Sequence, residues 1–454
     1  MYQEENHLLF MNKIKIQNMV KVVGFIIAFL SNVKAVQSQP LLNLNEALQL
    51  ALQNNFSILI AANESKIYSI QNHAGEAGML PMITGTGQQD NQVINTRQVF
   101  LNRTENNRDG AKSDVLNAAV EMNWTVFDGF RMFAAKNRLS ELESIGKLQL
   151  TQQIERTFSR VTIAWCNVVF YQQQYQLMIQ SLENSKKRIE FAELKFKAGK
   201  IARIELLKAK VDANTDEANV LKAAHALENQ KASLNLLLSR EPGINFTVPD
   251  SIIINESLVM DELINTSLER NSSLMGLKKM QRIELLSRRE LQAQRFPTVQ
   301  IRSGYSFSRS TSEAGFLQSA RNNGFHYGAG ISLNLFNGMT LHKRLTANKI
   351  QLESVDMMLK DSIMRIKNAI VQSYNAYKLH LALVNNEKNN VLIAEENYAI
   401  ANEQFIQGVI TSIELREAQL NWVSTKQRLL QAMLEAKLSE TELFLISGKL
   451  APTR

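Results

Sequence analysis

Hydrophobic positions along this chain follow two different periods. From residue 130 to 196 and again from 339 to 405 they recur at helical spacing. In the first segment the series runs Ile154, Phe158, Val161, Trp165 and Val168, then Tyr175, Met178 and Leu182, then Ile189, Ala192 and Phe196. Such spacing keeps one apolar stripe on one helix face and is the seam of a coiled coil. No proline falls between 130 and 240 or between 340 and 450, so nothing in the backbone interrupts a helix there. Each segment spans about 67 residues, or about 100 Å at 1.5 Å per residue, far longer than an ordinary globular helix. The flanking segments, 44–80 with 203–239 and 260–296 with 412–447, read as helices of about half that length. Each rod is therefore expected to lie beside a stacked pair of shorter helices.

Between the helices the period drops to two. Val299, Ile301, Tyr305 and Phe307 alternate with Thr298, Gln300, Arg302, Ser306 and Ser308. Phe325, Tyr327, Ala329, Ile331, Leu333 and Leu335 alternate with His326, Gly328, Gly330, Ser332 and Asn334. Upstream, Val120, Met122, Trp124 and Val126 alternate with Glu121, Asn123 and Thr125. This predicts strands with one apolar and one polar face, in hairpins at about 82–127 and about 298–336.

The whole plan occurs twice. Phe127-Asp128-Gly129 returns as Phe336-Asn337-Gly338, an offset of 209 (from 127 to 336). At the same offset Phe196, Gly199, Ile201, Ile204, Glu205 and Leu206 return as Phe405, Gly408, Ile410, Ile413, Glu414 and Leu415. Before the hairpins the offset is 216, since Asn45-Glu46 matches Asp261-Glu262 and Pro81 matches Pro297. The second hairpin is thus shorter, and a length change belongs in a loop. The expected organisation is a first repeat over 39–240, a linker over 241–258 carrying Pro242 and Pro249, a second repeat over 259–448, and a tail over 449–454.

The N-terminus changes the picture further. Lys13, Lys15 and Lys21 precede the apolar run from Val22 to Leu30, and Val33-Lys34-Ala35 offers small residues for cleavage. Residues 1–38 read as a secretory signal and its flank, too short to span a bilayer, with Met11 an alternative start. The strands join helices too polar to bury them. A secreted chain without a later membrane helix has a barrel as its spanning structure. Four strands fall short of the smallest usual barrel, about eight, so several copies must contribute. A soluble periplasmic coiled-coil adaptor or scaffold is the alternative, and it needs no paired amphipathic hairpins.

A formal net charge of +8 would permit nucleic-acid binding, but Lys and Arg alternate with Asp and Glu instead of clustering with aromatics, so none is expected. The six histidines show no ligand spacing, and no phosphate loop or nucleophile motif occurs, so neither enzyme activity nor a metal or cofactor is expected. The single Cys166 sits in a helical pattern and reads as a buried thiol.

The paired Phe-Asp/Asn-Gly junctions, the paired Phe-x-x-Gly-x-Ile-x-x-Ile-Glu-Leu hairpins and the two-copy plan resemble the TolC-like outer-membrane efflux proteins, over about Leu41 to Gly448. The family commonly has a second glycine after the junction motif, where this chain has Phe130 and Met339. The resemblance implies a mainly α fold with a membrane β-barrel portion. In it a trimer forms one twelve-stranded barrel in outer-membrane lipid and one coiled-coil tunnel in the periplasm. It further implies an exit duct for a tripartite pump or type I secretion system, served by a periplasmic adaptor and an inner-membrane transporter.

On that resemblance the glycine turns are the periplasmic tips. They expose Gly199, Lys200, Ile201, Ala202 and Arg203 in one repeat and Gly408, Val409, Ile410, Thr411 and Ser412 in the other for adaptor docking. Glu414 and Glu417, three apart on one helix face, match the family's periplasmic gate, whereas the first repeat has Glu205 and Lys208. By themselves the two carboxylates also fit a solvated face paired with Arg416 or Lys426.

Overall fold

A computed structural model describes residues 40–101, 103–314 and 317–450. The signal segment therefore lies outside the described residues. The chain runs α1 (Leu44–Asn54), α2 (Phe56–Gln71), β1 (Met82–Val99), β2 (Glu105–Phe127), α3 (Arg131–Lys197) and α4 (Arg203–Leu237). The second repeat follows as α5 (Met260–Arg270), α6 (Ser272–Ala293), β3 (Thr298–Ser312), β4 (Ser319–Ser332), α7 (Thr340–Gln407) and α8 (Ser412–Ser447). The rods α3 and α7 have 67 and 68 residues.

The expected continuous helices over 44–80 and 260–296 are each two helices, broken at an asparagine. Asn55 and Asn271 leave helical geometry, and each accepts hydrogen bonds from the backbone N–H groups two and three residues on, at 3.0 to 3.3 Å. Each side chain then donates to the far end of its partner helix. Asn55 bonds the Leu237 carbonyl at 2.8 Å and Asn271 the Ile446 carbonyl at 2.9 Å. One asparagine thus caps the start of one helix and an orphan carbonyl at the end of another. These bonds repeat at the two offsets read from the sequence.

The four strands form one antiparallel sheet in the order β1-β2-β3-β4. Met82 pairs with Asn123 and Thr298 with Ser332, and the same matched register continues along both hairpins. Val120, Tyr305 and Phe325 stand across neighbouring strands on one face, and so do Trp124, Ile301 and Ala329. Glu121 and Gly304 fall on the other. Many apolar-face side chains are exposed, among them Val120, Tyr305, Phe325, Tyr327 and Ile331. No helix among the described residues is long and apolar enough to cross a membrane.

The second hairpin differs from expectation at its end: regular strand stops at Ser332, before Leu333 and Leu335. Its counterpart β2 runs on to Phe127, where Val299 of β3 pairs with it. Among the described residues of one chain β4 has no strand on that side, and a strand end without a ladder loses regular geometry.

The main core lies where both repeats meet the linker. Val161, Trp165, Val168 and Val169 of α3 pack with Ala47 and Ala51 of α1, Leu234 of α4 and Leu434 of α8. The linker closes this core: Phe246, Val248 and Ile252 are buried in it, and Leu42 bonds the Thr247 carbonyl at 2.8 Å. Further toward the tips the α3 seam changes character. Leu182, Ile189 and Phe196 are not buried; Ser181, Ser185 and Arg188 take the inward positions. Apolar spacing alone missed this switch because polar residues hold the seam there.

Candidate functional site at the helical tips

Both rods end in the same turn. At the first tip Gly199 N–H reaches Phe196 O at 2.9 Å and Lys200 N–H reaches Lys195 O at 2.8 Å. At the second Gly408 N–H reaches Phe405 O at 3.1 Å and Val409 N–H reaches Gln404 O at 2.9 Å. This crossed pair needs a left-handed residue, and the two glycines supply it at φ +69° and +83°. The chain then restarts as α4 and α8.

The restarts differ. Thr411 caps α8 and Glu414 completes the box. The Glu414 carboxylate accepts from Thr411 N–H at 2.7 Å and from its hydroxyl at 2.8 Å, and Thr411 Oγ1 accepts from Glu414 N–H at 3.3 Å. These bonds, that from the backbone N–H first, hold the Glu414 carboxyl below the ordinary glutamate value. The matching cap of α4 is Ala202, which offers no side-chain bond, and Glu205 pairs instead with Lys208 at 3.1 Å.

Lys195 ties one tip to the other. Its ammonium donates to Phe405 O at 2.7 Å and sits 4.3 Å from the centre of the Phe405 ring. Burial, and then the charge of Lys200, lower its pKa. A cleft of about 520 Å³ lies beside this contact, lined by Lys200, Ile201, Glu205, Ile410, Thr411 and Ser412 among others. Most tip residues singled out from the sequence therefore border one cavity. Gly199, Arg203 and Val409 are exposed.

Glu414 and Glu417 are both exposed. The pairing of these two with Arg416 or Lys426 does not form. Lys426 goes to Glu395 at 3.0 Å and lies 4.6 Å from the Trp422 ring centre. Arg416 turns inward and makes a bidentate pair with Asp216, at 2.7 and 2.8 Å.

That pair anchors a buried polar network which apolar spacing could not reveal. Ser185 Oγ donates to Asp216 at 2.6 Å, and Gln419 donates to Ser181 O at 2.9 Å and to the Ser181 hydroxyl at 3.0 Å. Arg188, almost fully buried, donates to Asp212 at 2.6 Å, while its Nε and Nη1 have no hydrogen-bond partner among the described residues. Desolvation lowers the Arg188 pKa, with Asp212 acting against it. Burial also opposes the charge of Arg416, but Asp216 and then Asp212 together outweigh it and the pKa is raised. The network fastens α8 of the second repeat to α3 and α4 of the first, just behind the tips. The only sequence signal was a run of serines and charges at inward heptad positions.

At the opposite end of the rods the junction motifs take two states. Gly129 and Phe130 are both left-handed, as are Gly338 and Met339, with φ from +64° to +69°. The family's second glycine would suit this backbone; Phe130 and Met339 adopt it at a cost of about 1–2 kcal/mol each. In the first junction Asp128 is buried, accepting from Met132 N–H at 3.1 Å and from Arg131 at 3.2 Å. Phe127 stacks edge-on against Phe130 with centroids 5.3 Å apart. In the second, Phe336, Asn337 and Gly338 are all exposed.

The comparisons agree with this architecture. The outer membrane protein VceC of Vibrio cholerae superposes with a TM-score of 0.71 at 17% identity, over 89% of this chain and 96% of its own. The Campylobacter jejuni CmeC outer membrane channel gives 0.72 at 13%, over 89% and 85%. The Neisseria gonorrhoeae MtrE outer membrane channel, in its open state, gives 0.68 at 14%, over 90% and 89%. At such identities the likeness establishes the fold. No curated protein matches the chain in sequence. The model of the family described as outer membrane efflux protein matches residues 47–240 and 263–449, almost the whole of both repeats. The chain therefore belongs to the outer membrane efflux protein family, and it is an outer-membrane exit duct with its helical tunnel in the periplasm.

Proposed function

We propose that three copies of the chain close their four-stranded sheets into one barrel of twelve strands, and that the duct serves a tripartite efflux or type I secretion system. The observation that carries this reading is the open sheet. Strands β1 and β4 each pair on one side only among the described residues, and the sheet's apolar face is exposed. Long unpaired edges and an exposed apolar face are unstable in water, and closure in lipid satisfies both. The soluble adaptor alternative leaves that face without a partner.

In this assembly six tips surround the periplasmic mouth and present the cleft around Lys200, Ile201 and Ile410 to an adaptor. Glu414 and Glu417 from three chains form a ring of six carboxylates that attracts cations and narrows the mouth. The duct does no chemistry of its own, and the inner-membrane partner supplies the energy. Single-channel conductance tests the gate: Glu414→Gln with Glu417→Gln is expected to relieve block by divalent cations and raise conductance. Glutamine at 414 keeps the helix cap, so unchanged conductance and block would count against the ring and not against the fold. Fractionation tests the duct, with recovery in the outer membrane as a detergent-stable oligomer expected and release with soluble periplasm against it.

A further inference from the structure

The two repeats have the same architecture but unequal surroundings. The α3 residues that bond α6, namely Arg138, Glu141, Gln152 and Glu155, have counterparts on α7, 209 positions on, that are all exposed: Ala347, Ile350, Asp361 and Met364. Glu155 is 6% exposed, with Ser272 Oγ donating to it at 3.1 Å; its counterpart Met364 is 68% exposed. A Cβ on Gly129 would lie 2.5 Å from Ala293 O, while one on Gly338 meets nothing within 4 Å. On the other side, Ser272 of α6 is buried and its counterpart on α2, Phe56, is 69% exposed. Ile350, Met357 and Met364 form a bare apolar stripe at seven-residue steps on α7. Phe56, Ile60, Ile67 and Ile70 form another on α2.

We infer that these two stripes are the protomer–protomer seam, and that the contact between repeats within one chain gives its register residue by residue. The inference rests on the trimeric reading and assigns what lies against what. The polar pairs Arg138–Glu290 at 2.6 Å and Glu141–Lys279 at 2.8 Å align α3 on α6. Carried over by the two offsets, Met364 packs on the partner's Phe56, Ala347 lies beside the partner's Ala74, and Gly338 lies under the partner's Ala77. Methionine sulfur against an aromatic ring is a favourable contact, and the seam becomes apolar where its internal counterpart is charged. That difference has a physical sense. Two segments of one chain are already tethered and need polar pairs for alignment, whereas separate chains need buried apolar area to associate.

The strands follow the same rule. Within the chain Met122 pairs with Ser303 and Leu116 with Arg309. The offsets then set Ile331 of β4 opposite the partner's Gly87 and Phe325 opposite the partner's Val93. Leu333, irregular in the single chain, gains the partner's Gly85 as its neighbour, which extends β4 as β2 is extended.

Disulfide trapping in the full-length protein tests the register, in a Cys166→Ser background. Directly opposed strand residues stand about 4.5–5.5 Å apart at Cα, within disulfide reach, whereas a two-residue slip is not. Gly87→Cys with Ile331→Cys is expected to give covalent dimers and trimers on oxidation, at least tenfold more than Gly85→Cys with Ile331→Cys. A second measurement covers the helices: Met364→Glu is expected to lower the temperature at which the oligomer dissociates, and Met358→Glu, off the stripe, to leave it unchanged. A stable trimer in which the slipped pair links better, or in which both glutamate variants behave alike, overturns the seam and leaves the trimer standing. A monomer in mild detergent overturns both.

Discussion

Removing the Asp216 carboxylate gives the sharpest test of how the tips are held. Asp216 is 5% and Arg416 13% exposed at the side chain, and two charge-assisted bonds join them across the two repeats. In Asp216→Ala the Arg416 guanidinium stays buried beside Arg188, itself short of partners, with no carboxylate in the fork. Breaking one side of a buried ion pair costs about 3–5 kcal/mol. At 1.36 kcal/mol per tenfold, local opening of the start of α8 becomes about 10²- to 10⁴-fold more frequent. Native-state hydrogen exchange of the detergent-solubilised protein reads this directly as faster exchange of amides from Leu415 to Val423, with the core around Trp165 unchanged. The double variant Asp216→Leu with Arg416→Met removes both charges. It is expected to return most of the protection, because apolar replacement of a buried pair is close to neutral. Exchange within tenfold of wild type in the single variant, or a double variant as loose as the single, would refute the assignment of the tip's rigidity to this pair.

Other outcomes follow from the same geometry. Thr411→Ala removes the capping box and is expected to cost about 1 kcal/mol, seen as faster exchange at the first turn of α8; Ala202→Thr, which offers Glu205 the same box, is expected to slow exchange at the first turn of α4. Burial raises the Glu155 pKa above 4.5, so its contribution is fully present below that value and is lost as pH rises through the folded value. Glu155→Gln should therefore melt higher than wild type at neutral pH, with the difference vanishing in acid. Burial pushes the Cys166 thiol up to about 12, so a thiol reagent at neutral pH should leave the native protein unlabelled and modify it only after denaturation.

Much of the fold was legible because it is written in periods. The proline-free stretches with helical spacing became α3 and α7 within a residue or two, and alternation located both hairpins. The glycine turns followed from local chemistry, since only a left-handed residue closes that crossed pair of bonds. The breaks at Asn55 and Asn271 were harder to see, because each asparagine is fixed by a carbonyl more than 170 residues away. The site was half legible. Gly199, Gly408 and Glu414 stood out by duplication and Glu417 only through the family resemblance, while residues of both turns line the tip cleft.

The sequence by itself determined the two-copy plan, the rods, the two-faced strands and the tips, because propensity, periodicity and turn stereochemistry act over a few residues. Only the tertiary structure decided that Arg416 turns away from Glu414 toward Asp216, that Lys195 of one tip grips Phe405 of the other, and that Asp128 is buried while its counterpart Asn337 is exposed. Each of those outcomes depends on which helix lies alongside. A charged side chain reads the same in sequence whether it meets water or a buried partner, and packing settles which.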